Sequence, residues 1–168
     1  MPTVDVLDSA MYYEEHGAGT TPFVFLHGNP TSSHLWRHVM PHVGERVRCL
    51  APDLIGMGRS GTPDIEYRFV DHADYLDAWF EALGLDGVVL VGIDWAGALA
   101  LDWAARHPAR TRGVAFMETI VRRMTWDEFP GDARPRLEAL RRPALARPRC
   151  STRTSSSKSR CPPRCSAG

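Results

Sequence analysis

Asp94 lies in Val88-Val89-Leu90-Val91-Gly92-Ile93-Asp94-Trp95-Ala96-Gly97, where a β-branched apolar run gives way to small residues. A carboxylate is already an anion at neutral pH, so at such a corner it could attack an electrophilic carbon directly and leave an alkyl ester on the protein. A serine there would first need a base. The same Asp could equally cap a helix starting near Ala96, a common role ahead of an apolar stretch. Asn29, in His27-Gly28-Asn29-Pro30, and Glu118, in Phe116-Met117-Glu118, also follow apolar runs closely.

These residues need elements to hold them. Residues 88–93 have the composition of a strand buried on both faces, and 96–106, rich in Ala and Leu, that of a helix. Gly92, Ala96 and Gly97 permit a sharp bend and close helix-strand packing, so the segment reads as a nucleophile elbow of the G-x-S-x-G kind with Asp in place of Ser. Strands are expected at 4–7 and 11–15, with a turn at Asp8-Ser9, and again at 23–26, 47–51 and 112–117. Thr31 and Ser32 can cap a helix carrying Leu35, Trp36 and Val39. Apolar residues at 69, 73, 76, 80 and 83 predict a longer helix that Gly84 stops. Strands alternating with helices define an α/β fold with a mostly parallel sheet and helices on both faces. Ligands of such sheets sit beyond the carboxyl ends of the strands, where Asn29, Asp94 and Glu118 would converge.

The 168 residues balance 20 acidic against 20 basic side chains, but unevenly. Residues 1–138 hold all 20 acids and 12 bases, whereas 139–168 hold 8 bases and no acid. No apolar run is long enough to span a bilayer, and the first residues lack the basic-then-apolar order of a secretory signal; a soluble, cytoplasmic protein with no membrane partner is expected. Cys49 falls in an apolar segment and reads as a buried free thiol. Cys161 and Cys165 have no second pair or nearby His, so no metal site is expected. Gly56-Met57-Gly58-Arg59-Ser60-Gly61 matches G-x-G-x-x-G after a strand, yet it leads into Thr62-Pro63-Asp64 rather than a helix. A glycine-rich loop is the better reading than a dinucleotide site, and no cofactor is expected.

Four blocks in order resemble the haloalkane dehalogenases of the α/β-hydrolase fold: His27-Gly28-Asn29-Pro30, the stretch from Asp53 to Ser60, Gly92-Ile93-Asp94-Trp95-Ala96-Gly97, and Phe116-Met117-Glu118 with Trp126-Asp127-Glu128-Phe129-Pro130. The resemblance covers residues 1 to about 141. It implies that Asp94 displaces halide from carbon by in-line attack, that Trp95 and Asn29 hold the leaving halide, and that their backbone N–H groups form the oxyanion hole when water attacks the ester. An indole N–H is a donor with no acceptor, and an Asn amide offers two donors, which suits a departing anion. Glu118 corresponds to the acid that orients the catalytic base. The implied partners are a small halogenated hydrocarbon and halide, with no nucleic acid, and the oligomeric state is not legible. Epoxide hydrolases also place Asp at the elbow and are one alternative reading; an inactive, non-enzymatic fragment is the other. Trp95 could still be a core aromatic, and Trp126 and Phe129 could line a pocket or its cap, or simply pack.

Three departures from the family pattern stand out. The family's base follows its last strand, but the final histidine here is His107, upstream of Glu118. His107 is expected at a helix C-terminus, where imidazolium meets the negative end of the dipole. Without a catalytic His, Asp94 could be alkylated while its ester persists. Strand-like sequence ends at Met117, so 112–117 should present an unpaired apolar edge and the domain should be poorly stable. From Ala139 onward there is no Val, Ile, Phe, Tyr or Trp, a composition that cannot build a core. The expected division is a truncated α/β-hydrolase core over 1–141, lacking the cap and last strands, and a basic disordered tail over 142–168. Back-translated with G/C-rich codons and read one base earlier, the tail gives from Ala146 a stretch resembling the start of the family's cap. A one-base deletion near Arg141 or Arg142 is therefore expected, with a nucleic-acid-binding arm or an inert extension as alternatives.

Overall fold

Alternation along the third strand sends Val24 and Leu26 to one face of a sheet and Phe23 and Phe25 to the other, and each pair meets its own core. The computed structural model describes residues 2–119, 121, 122, 125–128, 131 and 135, in two units divided between residues 123 and 124. The strands are β1 (Thr3–Val6), β2 (Ser9–His16), β3 (Pro22–Leu26), β4 (Arg48–Pro52), β5 (Val88–Ile93) and β6 (Thr111–Met117). They form one sheet in the order β1-β2-β4-β3-β5-β6. β1, β2 and β4 pair antiparallel, whereas β4, β3, β5 and β6 run parallel.

Helices cover both faces. On one, α2 (Phe69–Ala82) and α3 (Trp95–Arg106) bury Leu76, Trp79, Phe80, Leu99 and Trp103 against Val24, Leu26, Leu50, Val88 and Leu90. Phe80 stacks on Trp103 with centroids 4.3 Å apart, which fixes α2 against α3. On the other face Phe25, Cys49 and Ala51 meet Trp36 and Met40. Each large apolar side chain fully buried in this way is worth about 1.5–3 kcal/mol. Cys49 is a buried free thiol, as its apolar setting suggested, and burial pushes its pKa up.

Two local expectations are corrected. The β1-β2 turn is Leu7-Asp8, not Asp8-Ser9, because Val6 pairs with Ser9 and leaves two residues between them. The helix anticipated after Ser32 is two short pieces, a 3-10 turn over Ser33–Trp36 and α1 over Met40–Val43. Pro41 explains the break, since its ring removes an N–H and crowds the carbonyl four residues back. The stop of α2 is as anticipated: Gly84 takes φ +57° and donates to the Glu81 carbonyl.

Among the described residues β6 pairs on one side only, with β5. Its edge carries Phe116, 50% exposed, and Met117, 43% exposed, matching the anticipated apolar edge. Thr125–Glu128, in the second unit, closes a small turn in which Thr125 N–H donates to Glu128 at 2.7 Å. The tail over 142–168, Phe129, Cys161 and Cys165 lie outside the described residues, as does the side chain of Trp126. Among the described residues no helix is long and apolar enough to cross a membrane.

Candidate active site

β5 ends where Asp94 takes φ 54° and ψ −126°, and α3 begins at the next residue. A side chain at such a backbone angle costs about 1–3 kcal/mol, so the surrounding structure must hold it. Two glycines make the corner possible: a Cβ on Gly92 would lie 2.7 Å from the Gly97 Cα. The turn is then tied to the neighbouring strand. Asp94 N–H donates to the Met117 carbonyl at 3.3 Å, and the Thr119 hydroxyl donates to the Asp94 carbonyl at 2.9 Å.

The Asp94 side chain makes no hydrogen bond to the start of α3, which removes the helix-cap reading. Its Oδ1 instead accepts the backbone N–H of Asn29 at 3.0 Å. The loop after β3 can come this close because residue 28 is glycine; a Cβ there would stand 2.6 Å from the Asp94 Cβ. Among the described residues this is the one hydrogen bond to the carboxylate, and Oδ2 stays open at an exposed position. Asn29 is exposed beside it, and Trp95 is half-buried, its ring edge-on to Phe69 at 5.6 Å and to His72 at 6.5 Å. Glu118, exposed and at φ 51°, follows β6 at the level of Asp94, since Ile93 pairs with Met117. Asn29, Asp94 and Glu118 thus stand beyond the carboxyl ends of three adjacent strands.

His107 does not join them. It caps the far end of α3, whose 12 residues at about 1.5 Å each place it some 18 Å along the axis from Asp94. There it packs against Trp103 at 4.7 Å and faces Asp77 at 3.5 Å.

Sequence reasoning gave His27 no role beyond its motif. The imidazole is fully buried and its Nε2 lies 2.9 Å from the Leu54 N–H. A backbone amide can only donate, so Nε2 is unprotonated and Nδ1 carries the proton, which goes to the Gly28 carbonyl at 2.9 Å. Burial pushes the His27 pKa down, and the same holds for buried His72 on α2. The available signal was a histidine closing an apolar strand directly ahead of a glycine.

The Gly56–Gly61 loop does wrap an anion, but an internal one. Buried Asp53 accepts the Ser33 N–H at 2.6 Å and the Arg59 N–H at 2.7 Å, and a Cβ on Gly58 would sit 2.1 Å from its Oδ2. Of the loop amides, that of Arg59 is taken by this carboxylate and those of Gly56, Met57, Ser60 and Gly61 by backbone carbonyls. Two shallow hollows of about 260 and 270 Å³ flank the 3-10 turn, lined by His34 and Arg37 among others, and neither includes Asp94. Among the described residues no cluster of His, Cys, Asp and Glu suits a metal ion.

Six strands in this order, with a strained elbow between β5 and α3, define an α/β-hydrolase core. The family model for the alpha/beta hydrolase fold matches residues 21–146, and the chain belongs to that family. Within it, the chain is 52% identical over 144 residues to a haloalkane dehalogenase of Mesorhizobium japonicum, covering 84% of this chain and 47% of that one. A crystal structure of a haloalkane dehalogenase from Bradyrhizobium elkani superposes with a TM-score of 0.78 at 48% identity, covering 86% of this chain and 51% of that one. A coelenterazine h 2-monooxygenase of Renilla reniformis is 43% identical over 131 residues, 76% of this chain and 42% of that protein. The chain spans about half the length of the relatives it matches.

Proposed function

We propose that this chain carries the nucleophile side of a hydrolytic dehalogenation centre. Because a relative of comparable identity is named a monooxygenase, the reading rests on residues rather than on overall similarity. The observation that carries it is the Asp94 carboxylate, held by one oxygen on the Asn29 N–H, with the other making no hydrogen bond among the described residues. In the first step that open oxygen forms a bond to carbon as the carbon-halogen bond breaks, and halide leaves with the electron pair. The indole N–H of Trp95 and the side-chain amide of Asn29 are the donors for the halide. In the second step water attacks the ester carbonyl, the N–H groups of Asn29 and Trp95 hold the oxyanion, and alcohol is released. That step needs a base, which Glu118 would orient.

These 168 residues hold no histidine after His107, so a chain of these residues alone should stop at the ester. With a short 1-bromoalkane, intact mass should show a single alkyl adduct on Asp94 and release of one equivalent of bromide, both lost in Asp94→Ala. Absence of adduct and of bromide from the folded chain overturns the reading. Epoxide opening without halide release would instead favour the epoxide hydrolase alternative. A shifted frame near Arg141 or Arg142 is tested by the coding DNA beyond codon 141; the match to the family model runs a few residues past that point, to residue 146.

A further inference from the structure

The N–H of Asn29 and the carbonyl of Gly28 are the two ends of one peptide group, and the plane of that group is held from behind. The Gly28 oxygen accepts three hydrogen bonds: from His27 Nδ1 at 2.9 Å, from the Thr31 hydroxyl at 2.8 Å and from the Thr31 N–H at 3.1 Å. His27 is itself pinned by the Leu54 N–H on Nε2 at 2.9 Å, just past the end of β4. We propose that His27 and Thr31 are positioning residues that clamp and polarise the Gly28–Asn29 peptide, aiming its N–H at Asp94 Oδ1.

Rotation of a planar peptide moves both ends together, so fixing the carbonyl fixes the direction of the N–H. Donors on the carbonyl also draw charge through the amide and strengthen its N–H as a donor, since linked hydrogen bonds polarise one another. Neutral His27 suits this part because only that tautomer can donate to Gly28 and accept from Leu54 at once. The geometric claim stands without the dehalogenase reading; its consequence for reactivity rests on that reading.

Two substitutions separate the ring nitrogens. The Nδ2 of an Asn side chain falls near the His Nδ1 and can still donate to Gly28, whereas the Oε1 of a Gln side chain falls near Nε2 and can accept only from Leu54. The measurement is the Asn29 backbone amide in ¹H–¹⁵N spectra of the full chain, together with its alkylation rate by 1-bromobutane. In His27→Gln the Asn29 amide proton should move upfield and exchange faster, and alkylation should slow about tenfold through misorientation of the carboxylate. His27→Asn should keep the parent shift. Thr31→Val, at an exposed position, should shift the amide the same way by less. An unmoved Asn29 amide in folded His27→Gln, or equal shifts in the Gln and Asn variants, overturns the proposal. If the buried substitutions prevent folding, Thr31→Val decides alone. A parent chain that is never alkylated sinks the dehalogenase reading, while the amide shifts still decide the clamp.

Discussion

The backbone N–H of Asn29 reaches Oδ1 of Asp94 at 3.0 Å across 65 positions of sequence. That contact sets one carboxylate oxygen and frees the other. It exists because β3 and β5 are neighbours in the sheet and Gly28 has no side chain to hold the two apart.

Asp94→Gly should remove all alkylation and yet stabilise the fold. Glycine accepts the positive φ that aspartate tolerates only under strain, so about 1 kcal/mol of stability should be gained. Thermal melting beside intact mass checks both halves. A lower melting temperature would show that the elbow stores no strain.

Gly28→Ala acts in the opposite sense. A methyl group 2.6 Å from the Asp94 Cβ cannot be accommodated without moving the loop, at about 1–3 kcal/mol. Both stability and Asn29 amide protection should fall. Unchanged alkylation in this variant would mean the loop contact is dispensable.

Acid should weaken the fold through its buried histidines. The pKa values of His27 and His72 lie below the usual 6.5, with burial the main cause, while Asp53 near His27 and Asp71 near His72 pull the other way. The unfolded chain therefore binds more protons, so their stabilisation is complete above about pH 6.5 and is lost as pH falls through that value toward the folded pKa. Urea midpoints at about pH 8, 6.5 and 5.5 should decline in that order. A midpoint that rises on acidification contradicts the assignment.

Asp53→Asn leaves either the buried Ser33 amide or the part-buried Arg59 amide facing an N–H₂ group in place of an acceptor. A loss of about 1–3 kcal/mol is expected, with faster hydrogen exchange at Ser33 or Arg59. Retained stability would show that the glycine loop does not depend on its internal carboxylate.

Phe116→Lys places a charge on the exposed edge of β6 and should reduce self-association with little change in melting temperature. Light scattering against concentration is the readout. Equal aggregation in parent and variant would place the sticky surface elsewhere.

Much of the architecture is written locally. The apolar runs ending at Leu26 and Ile93, the 3.6-residue spacing in α2 and the Gly92/Gly97 pair can each be read from near neighbours, and all appear in the fold. Pro41 is a local signal too, and it divides the segment after Ser32 into a 3-10 turn and α1.

What a linear pattern leaves open is which distant backbone group meets which side chain. The Asp94 side chain could have capped α3, but its oxygen accepts the Asn29 N–H instead. The glycine-rich loop could have held a phosphate until Asp53 was seen inside it, and His27 acquires a tautomer only from Leu54, 27 positions away. Local sequence determines conformation because torsion preferences and side-chain periodicity act over a few residues. Partners for buried polar groups follow from the strand order β1-β2-β4-β3-β5-β6, and only the packed sheet brings those groups within hydrogen-bonding distance.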